Sequence, residues 1–193
     1  MIPLIDKKII LASKSPRRSE LLRGLGLEFE IKTKDTEEDF PSEMPVGEVA
    51  GFLSEKKAMA FAEELQEGEL VIAADTIVVL GNQILGKPTD AKGAFEMLTA
   101  LSNRTHEVIT GVTLMDKERI LTFQDIAKVY FKPITELEIQ YYIEKYKPFD
   151  KAGAYGIQEW IGFVAVDKIE GSYYTVMGLP VHRVYKELSL WGQ

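Results

Sequence analysis

Ile9-Ile10-Leu11-Ala12-Ser13-Lys14-Ser15-Pro16-Arg17-Arg18-Ser19-Glu20-Leu21-Leu22 decides the fold class. Four apolar residues read as a short buried strand that runs into a polar loop. Pro16 suits the first turn of a helix with Ser15 as its N-cap, because proline lacks an N–H that this position leaves unbonded anyway. Leu21, Leu22 and Leu25 make an apolar stripe that Gly24 and Gly26 end. Working outward, Glu28 to Thr33 is a second strand. Asp35-Thr36-Glu37-Glu38-Asp39 is an acidic loop closed by Pro41 and Pro45, and Val46 to Leu65 has helical periodicity. Leu70 to Ala74 is nearly continuous apolar sequence, the pattern of a central strand covered on both faces. It runs into Asp75-Thr76 and then Ile77 to Leu80, where Gly81-Asn82 signals a hairpin.

The rest of the chain repeats this alternation. Asp90 to Leu101 reads as a helix capped by Thr89 or Asp90. Val108 to Met115 and Ile120 to Phe131 are strands joined by Asp116-Lys117-Glu118-Arg119. Thr135 and Glu138 form a capping box for a helix reaching Tyr146. Phe163 to Val166 reads as one more strand, and a last helix runs from Pro180 to near Leu190. Hairpins interrupt the strand–helix alternation, so the fold class is α/β with a mixed central sheet flanked by helices. With no linker or repeat, residues 1–193 form a single domain with two lobes.

Composition narrows the function. The 193 residues carry 23 Lys plus Arg against 30 Asp plus Glu, a formal charge of −7, and 46% are apolar, which excludes intrinsic disorder. Cysteine is absent, so disulfides, thiolate catalysis and Cys-ligated zinc are excluded. His106 and His182 are the only histidines, and both read as structural. No stretch approaches the ~20 apolar residues of a membrane span. The charges of the N-terminus follow its apolar run, the reverse of a secretory signal, so a cytoplasmic location and no membrane partner are expected. An acidic chain is also a poor match to polymeric nucleic acid, but a local group of cations could still hold a small phosphorylated ligand.

Three features carry chemistry. Arg17-Arg18 lie in the first turn of a helix, where the helix dipole disfavours cations. An anion at that turn, met by backbone N–H groups and the hydroxyls of Ser13 and Ser15, would remove the conflict; two solvated arginines are the plainer reading. Asp75 ends the most buried strand, either as a ligand group or as a turn cap. Glu38 in the acidic loop is a candidate partner carboxylate. With no soft ligands present, a bound metal would be a hard ion such as Mg²⁺ or Mn²⁺. Lys57 and Lys87 are candidate ligands or surface residues. Neither belongs to a Walker loop, since G-x-x-x-x-G-K-[ST] is absent. Gly153-Ala154-Tyr155-Gly156-Ile157-Gln158 and Gly171-Ser172-Tyr173-Tyr174 are loops that could meet a base or serve as tight turns.

Together these segments resemble the Maf family of nucleoside triphosphate pyrophosphatases. The likeness rests first on Ser13 to Leu22, close to an S-x-S-P-R-R-x-E-L-L opening. Asp35-Thr36-Glu37-Glu38, Lys57-Ala58, Ala74-Asp75-Thr76, Leu85-Gly86-Lys87-Pro88, Asn103 to Val108 and Val176 to Pro180 follow in order. The resemblance implies a cleft between lobes, as in the inosine-triphosphate pyrophosphatase-like fold, and a divalent metal. It implies hydrolysis of a nucleoside triphosphate to the monophosphate and pyrophosphate. Asp75 becomes the general base and a metal carboxylate, Glu38 a metal-binding or water-positioning carboxylate, and Arg17, Arg18, Lys57, Lys87 and Ser13 the phosphate contacts. The segment Ala152 to Gln158 is similar to the dTTP- and UTP-acting branch, in which Arg17, Thr76 and Gln158 bear on base choice. Glu159-Trp160 departs from the glycine that often follows that glutamine, and Thr175 stands where asparagine is common. The resemblance also implies a homodimer. Its older name suggests a different reading, a nucleotide-sensing partner in septum formation with little turnover.

Overall fold

The strand–loop–helix opening forms as expected. In the computed structural model, which describes residues 5–191, β1 (Lys8–Leu11) leads into α1 (Pro16–Gly24). The Oγ of Ser15 accepts the Arg18 N–H and caps the helix. Then come β2 (Phe29–Ile31), α2 (Val46–Met59), β3 (Glu69–Leu80) and β4 (Gln83–Leu85), followed by α3 (Ala91–Leu101), β5 (Thr105–Met115) and β6 (Ile120–Phe131). The chain closes with α4 (Glu136–Tyr146), a 3₁₀ turn (Ala152–Ala154), α5 (Trp160–Ala165), β7 (Val166–Glu170), α6 (Tyr173–Met177) and α7 (Val181–Trp191).

The sheet order is β2-β1-β3-β5-β6-β7, with β4 paired to β3. β1 runs parallel to β2 and β3, while β3–β4 and β6–β7 are antiparallel. The sheet is therefore mixed, as the hairpin signals require. No helix among the described residues is long and apolar enough to cross a membrane.

The chain divides into two compact units. One gathers the described residues up to Asp75, Thr110–Asp125 and those from Gly178 onward; the other holds Thr76–Ile109 and Ile126–Met177. In the first unit, Ile10, Val71, Ala73 and Met115 pack against Ala58, Phe61 and Leu65. Helix α2 is fixed there by close approach. A Cβ on Gly111 would lie 2.2 Å from the Ala50 carbonyl oxygen, so only glycine lets β5 and α2 touch. Gln124 clamps the same helix, accepting the Gly51 N–H at 2.9 Å and donating to the Gly47 carbonyl at 2.8 Å.

Three expectations need correction. Helix α2 ends at Met59 rather than Leu65, because Phe61 and Leu65 reach the core from the turns that follow. Strand β3 does not stop at Asp75 but continues to Leu80, so Asp75 sits mid-strand and not at a carboxyl end. A ladder depends on backbone groups, and one ion-paired side chain on a face does not interrupt it. Phe163 to Ala165 belongs to a helix: Ile161 and Ala165 are buried four residues apart while Phe163 is 78% exposed, a helical rather than alternating pattern.

In the second unit, His106, Phe131 and Tyr155 meet edge-to-face with ring centroids 5.0–5.5 Å apart. His106 Nε2 pairs with the Tyr155 hydroxyl at 2.7 Å, and burial lowers the histidine's pKa to about 4. Above pH 6.5 the ring is neutral in both folded and unfolded chains. Between pH 6.5 and 4 only the unfolded chain takes up the proton, so stability falls as pH falls, by on the order of 3 kcal/mol. Urea melts across this window should show that loss in the wild type and a shallower one in His106→Gln. Equal slopes would contradict it.

Candidate active site

Asp75 is 8% exposed, and a carboxylate that deep needs a partner. Lys57 supplies it: the Nζ donates to Asp75 Oδ1 and also, at 3.0 Å, to Glu38 Oε1. One ammonium thus ties a strand carboxylate to a loop carboxylate. The adjacent Lys56 donates to Asp39, so consecutive lysines of α2 hold consecutive acids of the loop. The acidic run is therefore anchored at Glu38 and Asp39 rather than merely solvated. Lys14 and Asp35, by contrast, pair at 3.0 Å on the open surface, where such contacts add little.

The α1 N-terminus brings the arginines. Arg18 Nε donates to the Gly178 carbonyl at 2.8 Å, and its Nη1 donates to Ser13 Oγ at 3.3 Å. The same Ser13 oxygen accepts the Ser15 N–H at 3.2 Å. Burial lowers the Arg18 pKa, the charges of Asp75 and Glu38 raise it, and Arg17 lowers it. An arginine stays protonated nonetheless. Those influences place Arg18 in the field of both carboxylates and of Arg17. Within the first unit, Arg18 thus bonds Ser13 and feels the charges of Asp75 and Glu38, the two carboxylates that Lys57 joins.

Thr76, Lys87 and Gln158 lie in the second unit. Thr76 follows Asp75 on β3, and strand alternation sends the two side chains to opposite faces. Lys87 is exposed in the loop after β4, where Gly153 N–H donates to the Gly86 carbonyl at 3.1 Å. Gln158 Oε1 is buried and has no hydrogen-bond partner among the described residues.

Sequence reasoning missed one contact of this group and one buried ion pair in the second unit. The Gly178 carbonyl is a backbone acceptor, invisible in residue type. Lys151 is 7% exposed and bonds Asp150 at 2.7 Å and Glu159 at 3.2 Å; its signal was a lone lysine beside the small-residue run Ala152-Gly153-Ala154.

Among known families, the one described as Maf-like protein matches residues 8–191. The chain belongs to the Maf family. The Flavobacterium johnsoniae protein named dTTP/UTP pyrophosphatase is 53% identical over 182 residues, covering 94% of each chain. Proteins of the same name from Bacteroides thetaiotaomicron and Cytophaga hutchinsonii are 47% and 52% identical, covering 97% and 96% of this chain and 98% and 84% of theirs. Among solved structures, the Staphylococcus aureus Ham1 protein aligns at 15% identity with a TM-score of 0.49, over 65% of this chain and 72% of its own.

The donor set of this Maf chain limits what metal it could hold. Asp75 and Glu38 offer hard carboxylate oxygens around one point now held by an ammonium. Among the described residues no group of three or more His, Cys, Asp or Glu could hold a metal ion. Two carboxylates are the donor chemistry that a hard divalent cation takes, with water and phosphate oxygens able to complete its shell.

Removing the shared ammonium should expose its role. Lys57→Met should cost about 2 kcal/mol at pH 7, since it leaves two like charges facing each other. The double variant Lys57→Met/Asp75→Asn should recover more than half of that loss in urea melts. Simple additivity of the two single effects would contradict a direct coupling.

Proposed function

We propose that this chain is a cytoplasmic nucleoside triphosphate pyrophosphatase that hydrolyses dTTP and UTP to the monophosphate and pyrophosphate. The observation that carries the reading is the Lys57 ammonium joining Asp75 to Glu38 in the field of Arg18. Hydrolysis between the α- and β-phosphates needs a base for water and cations for the charge growing on the leaving group. The constellation offers both kinds of group. The names of the relatives agree with it.

In this mechanism water attacks the α-phosphorus and its proton passes to the Asp75 carboxylate, while the bond from the α-phosphorus to the bridging oxygen breaks. The electron pair leaves on pyrophosphate. Arg17, Arg18 and Lys57 hold phosphate oxygens, Ser13 adds a hydroxyl contact, and Lys87 supplies a further ammonium. Asp75 and Glu38 would hold Mg²⁺ or Mn²⁺, which when bound screens the triphosphate and polarises its phosphoryl oxygens. Thr76 and Gln158 serve base choice. The unpartnered Gln158 Oε1 needs a donor; thymine and uracil present an N3–H, where cytosine presents an acceptor.

Incubation with Mg²⁺ and dTTP or UTP should give pyrophosphate and the monophosphate, with CTP turned over at least tenfold less efficiently. Asp75→Asn should lower kcat by a factor on the order of 10³ with little change in KM. Orthophosphate and a diphosphate as products would contradict the reading. Tight binding without turnover in the wild type would favour a nucleotide sensor instead.

A further inference from the structure

Glu159 follows Gln158 directly, and its carboxylate is bound from two sides. Lys151, a buried ammonium, lies 3.2 Å from Glu159 Oε1. The Tyr142 hydroxyl donates to Glu159 Oε2. Tyr142 belongs to α4, is fully buried and stacks on Tyr146 with centroids 5.1 Å apart, so its oxygen is a fixed point. That same oxygen accepts the Gly156 N–H at 3.0 Å.

The segment 156–159 is therefore tied at both ends to one phenol. Its backbone closes on itself, because the Glu159 N–H donates to the Gly156 carbonyl at 3.0 Å. It is also full: a Cβ on Gly156 would lie 2.8 Å from Glu159 Cδ. Glu159 has a structural duty as well, since Lys151 could not stay charged and buried without acceptors. That duty alone does not account for the phenol, which joins Glu159 to the backbone of the turn carrying Gln158.

We propose that Glu159 is a specificity-determining positioning residue. Its bonds to Tyr142 and Lys151 lock the Gly156–Glu159 turn, so the Gln158 amide keeps its acceptor buried and unpartnered until a pyrimidine N3–H arrives. A free turn would let that amide rotate, satisfy its oxygen elsewhere and present its –NH₂ to the acceptor of cytosine. Glu159 touches no reacting atom; it acts through Gln158. The inference rests on the base-recognition reading above.

The test compares kcat/KM for UTP and CTP, with melting temperature, in five proteins. Gln158→Ala should lower the wild-type UTP:CTP ratio at least tenfold. Glu159→Gln, which keeps the size but removes the charge, and Tyr142→Phe, which removes the shared hydroxyl, should each lower it about fivefold. The change should lie mainly in KM for UTP, with pyrophosphate still the product. Ser102→Ala deletes a hydroxyl that accepts the Ile134 N–H at 2.9 Å elsewhere in the unit, and controls for mere loosening. Its ratio should match the wild type. If Gln158→Ala lowers the ratio while Glu159→Gln and Tyr142→Phe do no more than Ser102→Ala, the positioning role falls and base recognition stands. A wild-type ratio near one, or one that Gln158→Ala leaves unchanged, overturns base recognition and the positioning role with it.

Discussion

A carboxylate placed mid-strand in a buried sheet is tolerable only beside a cation, and Lys57 is that cation for Asp75. The same ammonium reaches Glu38, so one charge sets the distance between a rigid strand and a loop. In water such a pair would add little. At a half-buried site the Coulomb term is larger, and loss of either partner leaves a charge that solvent cannot fully screen. In the proposed mechanism an incoming cation or phosphate would therefore meet groups already gathered, with part of the ordering cost met during folding.

The ammonium is only as well placed as its helix. Gly111 lets β5 touch α2 at Ala50, and Gln124 binds the helix at Gly47 and Gly51. Ser54 adds a buried link, its hydroxyl 2.8 Å from Thr113 Oγ1. These contacts lie within one to three turns of Lys57 and carry no chemistry themselves. The Arg18 fork is held in a comparable way, by a backbone carbonyl at Gly178 and a serine hydroxyl at Ser13. Rigid supports under charged side chains keep the site from relaxing into ordinary surface pairs.

Much of this was legible in the residues themselves. Ser15-Pro16, Asp90 and the Thr135–Glu138 box mark their helix starts because capping is local chemistry. The Gly81-Asn82 turn fixed the β3–β4 register, with Leu80 opposite Gln83. The run from Phe163 was read as strand since a short apolar stretch has no intrinsic period; burial of Ile161 and Ala165 decides it. Asp75 was legible as a costly residue but not as a mid-strand one, because its partner lies 18 positions away on α2. Glu159 was opaque for the same reason: its partner Tyr142 lies 17 positions away, on a different helix.

The most direct measurement of the central claim is a crystal grown with Mn²⁺ and a non-hydrolysable α,β-imido analogue of dUTP, with data collected at a wavelength where manganese scatters anomalously. The account predicts an anomalous peak whose protein ligands include an oxygen of Asp75 and one of Glu38, with Lys57 turned to a phosphate oxygen. A triphosphate and metal bound with no contact to Asp75, its carboxylate still closed on Lys57, would contradict it.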